Sequence, residues 1–153
     1  MKFILSICLL IVFSRCGTEK EILTNNDTST MENTAYKMDA TFGQPIDFVG
    51  DNYTIKSAKI EQNSLFLVVN ILGECKPHDF KMVSSAGPSN SIQPVRNVVL
   101  IHLSNGDNCT RPVDVSLEIN ITELAIKKEK GFKTILKLKG WKDNLDYVFY
   151  VTE

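Results

Sequence analysis

The chain has 153 residues, 17 Lys and Arg against 18 Asp and Glu, a formal charge of −1, and 43% hydrophobic residues. Without a basic excess it lacks the charge needed to displace counterions from a phosphate backbone, so nucleic acid is excluded as an expected partner. Its length suits one domain with one core.

The chain opens with Lys2 and an apolar run from Phe3 to Phe13. Such a run fits the h-region of a signal peptide and falls short of the ~20 residues a membrane-spanning helix needs. Residues 1–15 are therefore expected to be a lipoprotein signal peptide, with Cys8 discarded inside it, and the chain to be exported. Cys16 stands directly after the leader, where bacterial lipoproteins are cut and acylated. Phe13 and Ser14 suit the pattern before such a cysteine; Arg15 does not, since a small residue is usual there. No small-x-small cleavage site lies nearby, so Cys16 is the expected lipidation site. Loss of the leader removes Lys2 and Arg15 and leaves 15 basic against 18 acidic residues, a charge of −3.

Residues 16–40 are polar, rich in Asn, Thr and Glu. They bury too little apolar surface to offset their ordering entropy and are expected to form a flexible tether after the lipidated cysteine. Glu19 and Glu21 resemble the acidic residues that send some Bacteroidota lipoproteins to the cell surface. The expected location is the cell envelope, anchored to the outer membrane on its periplasmic or surface face. The lipid is the expected membrane contact, with a protein or ligand partner of unknown identity.

Residues 41–153 read as strands. Arg111 to Ile121 alternates most clearly, with Val113, Val115, Leu117, Ile119 and Ile121 on one face and Asp114, Ser116, Glu118 and Asn120 on the other. Phe132 to Lys139 places Phe132, Thr134, Leu136 and Leu138 inward and Lys133, Ile135, Lys137 and Lys139 mostly outward, where the lysines are expected to pair with Asp114 and Glu118. Further strands are expected at Tyr53 to Ile60, Leu65 to Leu72, Asp79 to Ser84, Val95 to Leu103 and Tyr147 to Thr152. Leu65 to Val69 and Val98 to Ile101 are apolar on both faces and should lie centrally. Turn-forming clusters separate nearly all of these runs; only Thr122 to Lys130 reads as helical. The expected fold is all-β: a single antiparallel β-sandwich of about seven strands, possibly Greek-key, with a partly open β-barrel as the alternative. Trp141 is expected to plug the core edge, and the lysines from Lys127 to Lys142 to form a solvated face.

The expected domain holds both histidines and two of the four cysteines, each cysteine near one histidine: Cys75 with His78, and His102 with Cys109. Three readings compete. An exported domain with an even cysteine count favours a Cys75–Cys109 disulfide, which would close a loop of about 35 residues and stabilise the fold by ~4 kcal/mol on the chain-entropy model. Alternatively, Cys75, His78, His102 and Cys109 offer the donors of a tetrahedral zinc site, with Asp79 and Asp107 placed to orient the imidazoles. A Cys/His catalytic pair would need a free, activated thiol, and no oxyanion-hole glycine motif or third orienting residue accompanies it, so no catalytic residue is assigned.

The run Gly73-Glu-Cys75-Lys-Pro-His78-Asp-Phe80, then Val98-Val-Leu-Ile-His102, Asp107-Asn-Cys109 and Ile119-Asn-Ile-Thr-Glu-Leu124, resembles NigD-like and related small lipoproteins of Bacteroidota. The resemblance covers roughly residues 55–140. It implies a lipid-anchored β-domain linked by name to bacteriocin loci and immunity. The chain departs from the pattern at Arg15, and the separate N-terminal barrel domain of longer members has no counterpart in this reading. The function expected is a non-enzymatic binding or protective module without a cofactor; the contrasting expectation is a zinc-binding protein or metal-dependent enzyme.

Overall fold

The structure is a computed structural model and describes residues 35–44, 49–87 and 94–151. The leader, Cys16 and the expected tether up to residue 34 lie outside the described residues. Two short parallel-paired strands come first, β1 (Tyr36–Asp39) and β2 (Thr41–Phe42). They are followed by β3 (Thr54–Glu61), β4 (Ser64–Leu72), β5 (Asp79–Ser84), β6 (Val95–Leu103), β7 (Pro112–Asn120), β8 (Lys133–Leu138) and β9 (Leu145–Val148). No helix among the described residues is long and apolar enough to cross a membrane.

Two sheets form, one in the order β1-β7-β4-β3 and one in the order β2-β5-β6-β8-β9. The all-β sandwich is as expected, and β4 and β6 are both interior strands, as their two-sided apolar sequences require. The sheets are mixed rather than wholly antiparallel, because β1, β2 and the β6–β8 pair run parallel to their neighbours. β7 returns beside β4 after the β5–β6 hairpin, a Greek-key return.

The inner faces supply the core. Leu65, Leu67, Val69 and Ile71 from β4 meet Val115, Leu117 and Ile119 from β7, together with Met82, Val98, Leu100, Leu136 and Tyr147 from the other sheet. Each is close to fully buried, and each such aliphatic side chain contributes about 1.5–3 kcal/mol of transfer free energy. Trp141 packs on the edge of this cluster.

Three local departures have physical causes. The expected helix over Thr122 to Lys130 shrinks to one 3-10 turn, Thr122–Leu124. Asn120 Oδ1 accepts the Thr122 N–H and hydroxyl, and Ile126 N–H donates to Thr134 Oγ1, so the backbone bonds a helix would need go elsewhere. The last strand ends at Val148, and the Tyr150 N–H and carbonyl are both taken by the Asn63 side chain. The lysines of β8 do not reach Asp114 and Glu118, because β7 and β8 belong to different sheets. Lys133 instead pairs with Asp146 at 2.8 Å, and Glu118 with Lys37 at 3.0 Å.

Candidate functional site

The cysteine–histidine cluster arises from two sheet-to-sheet crossings. β4 ends where β7 begins, with Leu72 opposite Pro112. β5 begins where β6 ends, with Asp79 opposite Leu103. Loop 73–78 therefore carries the chain from the first sheet to the second, loop 104–111 carries it back, and the two lie together at one end of the sandwich. Cys75 in the first loop and Cys109 in the second form a disulfide, Cα to Cα 6.1 Å, across a sequence separation of 34.

Asp107 is the hub of this end. Its side chain is 1% exposed. Oδ2 accepts the backbone N–H groups of Cys75 at 2.8 Å and Lys76 at 3.1 Å, and Oδ1 accepts that of Cys109 at 2.9 Å. The Cys109 N–H most of all, with His78 and the Lys76 and Cys75 N–H groups, holds this carboxyl well below the usual range against the opposing effect of burial. From the sequence, Asp107 is expected only to orient an imidazole. Its backbone partners carry no side-chain signature, so the larger role was invisible.

His78 and His102 are 5% and 1% exposed. His78 Nε2 faces Asp107 Oδ2 at 3.1 Å, His78 Nδ1 faces His102 Nε2 at 2.8 Å, and His102 Nδ1 faces the Asn52 carbonyl at 3.3 Å. A carbonyl only accepts, so His102 donates from Nδ1 and must accept at Nε2. His78 then donates from Nδ1 to His102 and from Nε2 to the ionised Asp107, and every contact closes when His78 is an imidazolium. Burial and then the neighbouring His78 charge push His102 below its ordinary value, with the Asn52 and Asp51 contacts opposing.

Apolar walls position the rings. Phe80 stacks on His102 at 5.0 Å between centroids and an interplanar angle of 16°, and Tyr53 meets it edge-on at 6.4 Å. Two glycines admit the close approach. A Cβ on Gly73, whose φ is +130°, would lie 2.7 Å from Asp107 Oδ2 and 2.8 Å from His78 Nε2. One on Gly50 would lie 2.7 Å from the His102 carbonyl oxygen.

The structure thus brings Cys75, His78, His102 and Cys109 to one end, though as a chain of contacts rather than a shell around one point. The sulfurs bond each other, and the rings bond each other. Asp79 does not orient an imidazole: it is exposed and accepts from Asn105 Nδ2 at 2.9 Å. Asn52, Gly73 and Tyr53 were not singled out from sequence; of these, only Gly73 carried a signal, as the first residue of the Gly-x-Cys run. A depression of 280 Å³, lined in part by Asp51, Leu72, His102, Asp107 and Cys109, opens beside the cluster. A hollow of 580 Å³ is lined in part by Gly50, Tyr53, Val99, Leu100 and Lys139, and there the Tyr53 hydroxyl donates to the Leu100 carbonyl at 2.7 Å.

No protein-family model and no curated protein matches the chain. Solved structures do match. A NigD-like immunity protein from Bacteroides caccae aligns with a TM-score of 0.58 at 16% identity, over 74% of this chain and 64% of that one. A DUF1344 protein of unknown function from Bacteroides vulgatus aligns at 0.50 and 14% identity, over 77% and 59%. A protein described as toxin-related from Parabacteroides distasonis aligns at 0.50 and 10% identity, over 75% and 61%. The chain spans less than two thirds of the length of each. The resemblance read from the Gly-x-Cys-x-x-His run is met here at the level of fold: the chain is similar in structure to NigD-like and DUF1344 proteins of Bacteroides.

Proposed function

We propose that this chain is a lipid-anchored, non-enzymatic module of the bacterial cell envelope, held on the outer membrane through Cys16 and acting by binding a protein partner, in the manner of an immunity protein. One observation carries the non-enzymatic part of this reading. The chemistry-bearing residues that the sequence singles out are engaged with one another: the cysteines in a disulfide, the histidines in a buried relay between Asp107 and Asn52. Groups so engaged hold two loops together, and a reacting nucleophile or base has to face a substrate instead. The anchor rests on the leader and on Cys16 after it, and the immunity-like role on likeness in fold to a NigD-like immunity protein.

Labelling cells with radioactive palmitate tests the anchor. Wild-type chain should carry label and sediment with membranes, and Cys16→Ala should do neither. Equal labelling of the two overturns the anchor at Cys16.

A further inference from the structure

The sulfurs of the oxidised chain are bonded to each other, yet the groups around them are arranged as ligands. The Cys75 and Cys109 sulfurs and a carboxylate oxygen of Asp107 lie within 4.8 Å of one another. Donors on a tetrahedral ion with bonds of about 2.0–2.3 Å sit about 3.3–3.8 Å apart, so modest side-chain shifts would place all three in one shell. A fourth donor stands beside Asp107 though outside that group of three, His78 Nε2 at 3.1 Å from Asp107 Oδ2, and it would have to swing towards the sulfurs to join them. The other nitrogen of that ring is held at 2.8 Å by His102, itself fixed by the Asn52 carbonyl and the Phe80 face. Metal-bound imidazoles are fixed in this way, with the far N–H engaged and the near nitrogen directed at the ion. The depression beside Asp107 and Cys109 gives an ion a route from solvent.

We propose that reduction of the Cys75–Cys109 disulfide turns this end of the sandwich into a site for one zinc-class divalent cation, bound by Cys75, Cys109, Asp107 and Nε2 of His78. A dithiol supplies two electrons and two protons, becoming a disulfide as Cys75 and Cys109 become thiols. The incoming cation then displaces both thiol protons and the Nε2 proton of His78. His102 is a positioning residue and not a ligand. The two loops are stapled in either state, by a covalent bond or by an ion, and exchange between the states depends on reductant and metal. This inference goes beyond the envelope-module reading and is independent of the anchor.

The test uses the purified full chain, reduced with dithiothreitol, desalted without oxygen and titrated with Co²⁺ and then Zn²⁺. The reduced chain should bind one cobalt with thiolate charge-transfer bands and the intense visible bands of tetrahedral coordination, and Zn²⁺ should bleach them. The oxidised chain should show neither. His102→Gln should keep the tetrahedral spectrum while weakening affinity about 10–100-fold. His78→Gln and Asp107→Asn should lose affinity by more than that and change the visible bands, in variants whose oxidised forms show the β-sheet circular dichroism of the wild type. Should either variant not fold, melting of the wild type decides: Zn²⁺ should raise the melting temperature of the reduced chain and leave the oxidised one unmoved. A reduced wild type that takes up no tetrahedral cobalt overturns the proposal. So do folded His78 and Asp107 variants that bind as tightly as wild type, or a reduced chain whose melting ignores zinc.

Discussion

His78 Nδ1 lies 2.8 Å from His102 Nε2, two buried imidazoles in direct hydrogen bond between a carboxylate at one end and a backbone carbonyl at the other. The pair links the start of β5 to the end of β6, and the disulfide links the loops just beyond. Polar and covalent bonds thus hold the point where the chain twice crosses between sheets.

The disulfide should contribute most of that hold. Cys75→Ser with Cys109→Ser should lower unfolding free energy by about 2–5 kcal/mol, the usual effect of removing a native bridge from a small disulfide-bonded domain. Urea denaturation of the double variant and the wild type gives the difference; equal stability would show that the bridge is dispensable.

Removing His102 should also cost stability, by a different route. His102→Leu leaves His78 Nδ1–H buried without its acceptor, at a cost of about 1–3 kcal/mol. The pH dependence follows. Because the folded form holds His102 below its ordinary value, the unfolded chain takes up that proton first as pH falls. Stability is full above the unfolded value of about 6.5 and declines as pH drops through it. The carboxyl of Asp107, also lowered, adds a second loss below about pH 4, the unfolded carboxylate value. Thermal melts between pH 7 and 5 should fall less for His102→Leu than for wild type; parallel profiles would contradict this.

Gly73→Ala should destabilise the cluster itself. The added Cβ meets Asp107 Oδ2 and His78 Nε2 below 3 Å, and the φ of +130° is one that L side chains rarely adopt. A loss of more than 2 kcal/mol is expected from strain and overpacking together, about 1–3 kcal/mol each. The same substitution at Gly87, also at positive φ but with nothing within 4 Å, should cost less. Chemical denaturation of both variants decides, and a smaller cost at Gly73 would refute the close packing.

Asn63 ties the β3–β4 turn to the chain after β9. Its Oδ1 accepts the Tyr147 hydroxyl at 2.9 Å and the Tyr150 N–H at 3.0 Å, while Nδ2 donates to the Tyr150 carbonyl at 2.6 Å. Asn63→Ala should lose about 1–3 kcal/mol, since it leaves a buried hydroxyl unpaired. Tyr147→Phe should lose less, because Tyr150 keeps its Asn63 bonds. Burial, then Glu123, pushes the Tyr147 phenol up to about 12, so its contribution is present below pH 10 and is lost as pH rises from 10 towards 12.

Arg96 should be a net liability. It is 5% exposed, Nε and Nη1 are buried without a hydrogen-bond partner among the described residues, and its guanidinium lies 4.2 Å over the Phe42 ring. A cation–π contact of about 0.5–2 kcal/mol does not offset the desolvation of a guanidinium with two unsatisfied N–H groups, about 1–3 kcal/mol for each. Arg96→Met should therefore match or raise the melting temperature; a clear fall would contradict that balance.

Much of the fold was legible because period-two burial leaves a direct trace. β5 and β6 begin and end where their patterns predict, and β4 and β7 agree to within a residue or two. Partnership left no such trace. Nothing in the Tyr36 to Asp39 sequence announces a parallel strand beside β7, since its side chains are mostly exposed. The lysines of β8 looked like partners for the acids of β7 because alternation does not say which sheet a strand joins. At the site, the residue types and their pairing in sequence pointed to one cluster. The order of contacts within it was set by the two crossings, by backbone N–H groups around Asp107 and by Asn52, which spacing does not encode.

Imidazole ¹⁵N spectra of the oxidised protein near neutral pH test the account at its centre. Expected are a coupling across the His78 Nδ1–H to His102 Nε2 hydrogen bond and a His78 Nδ1 proton that exchanges slowly with water. Two rings with no coupling between them and rapid exchange of that proton would contradict it.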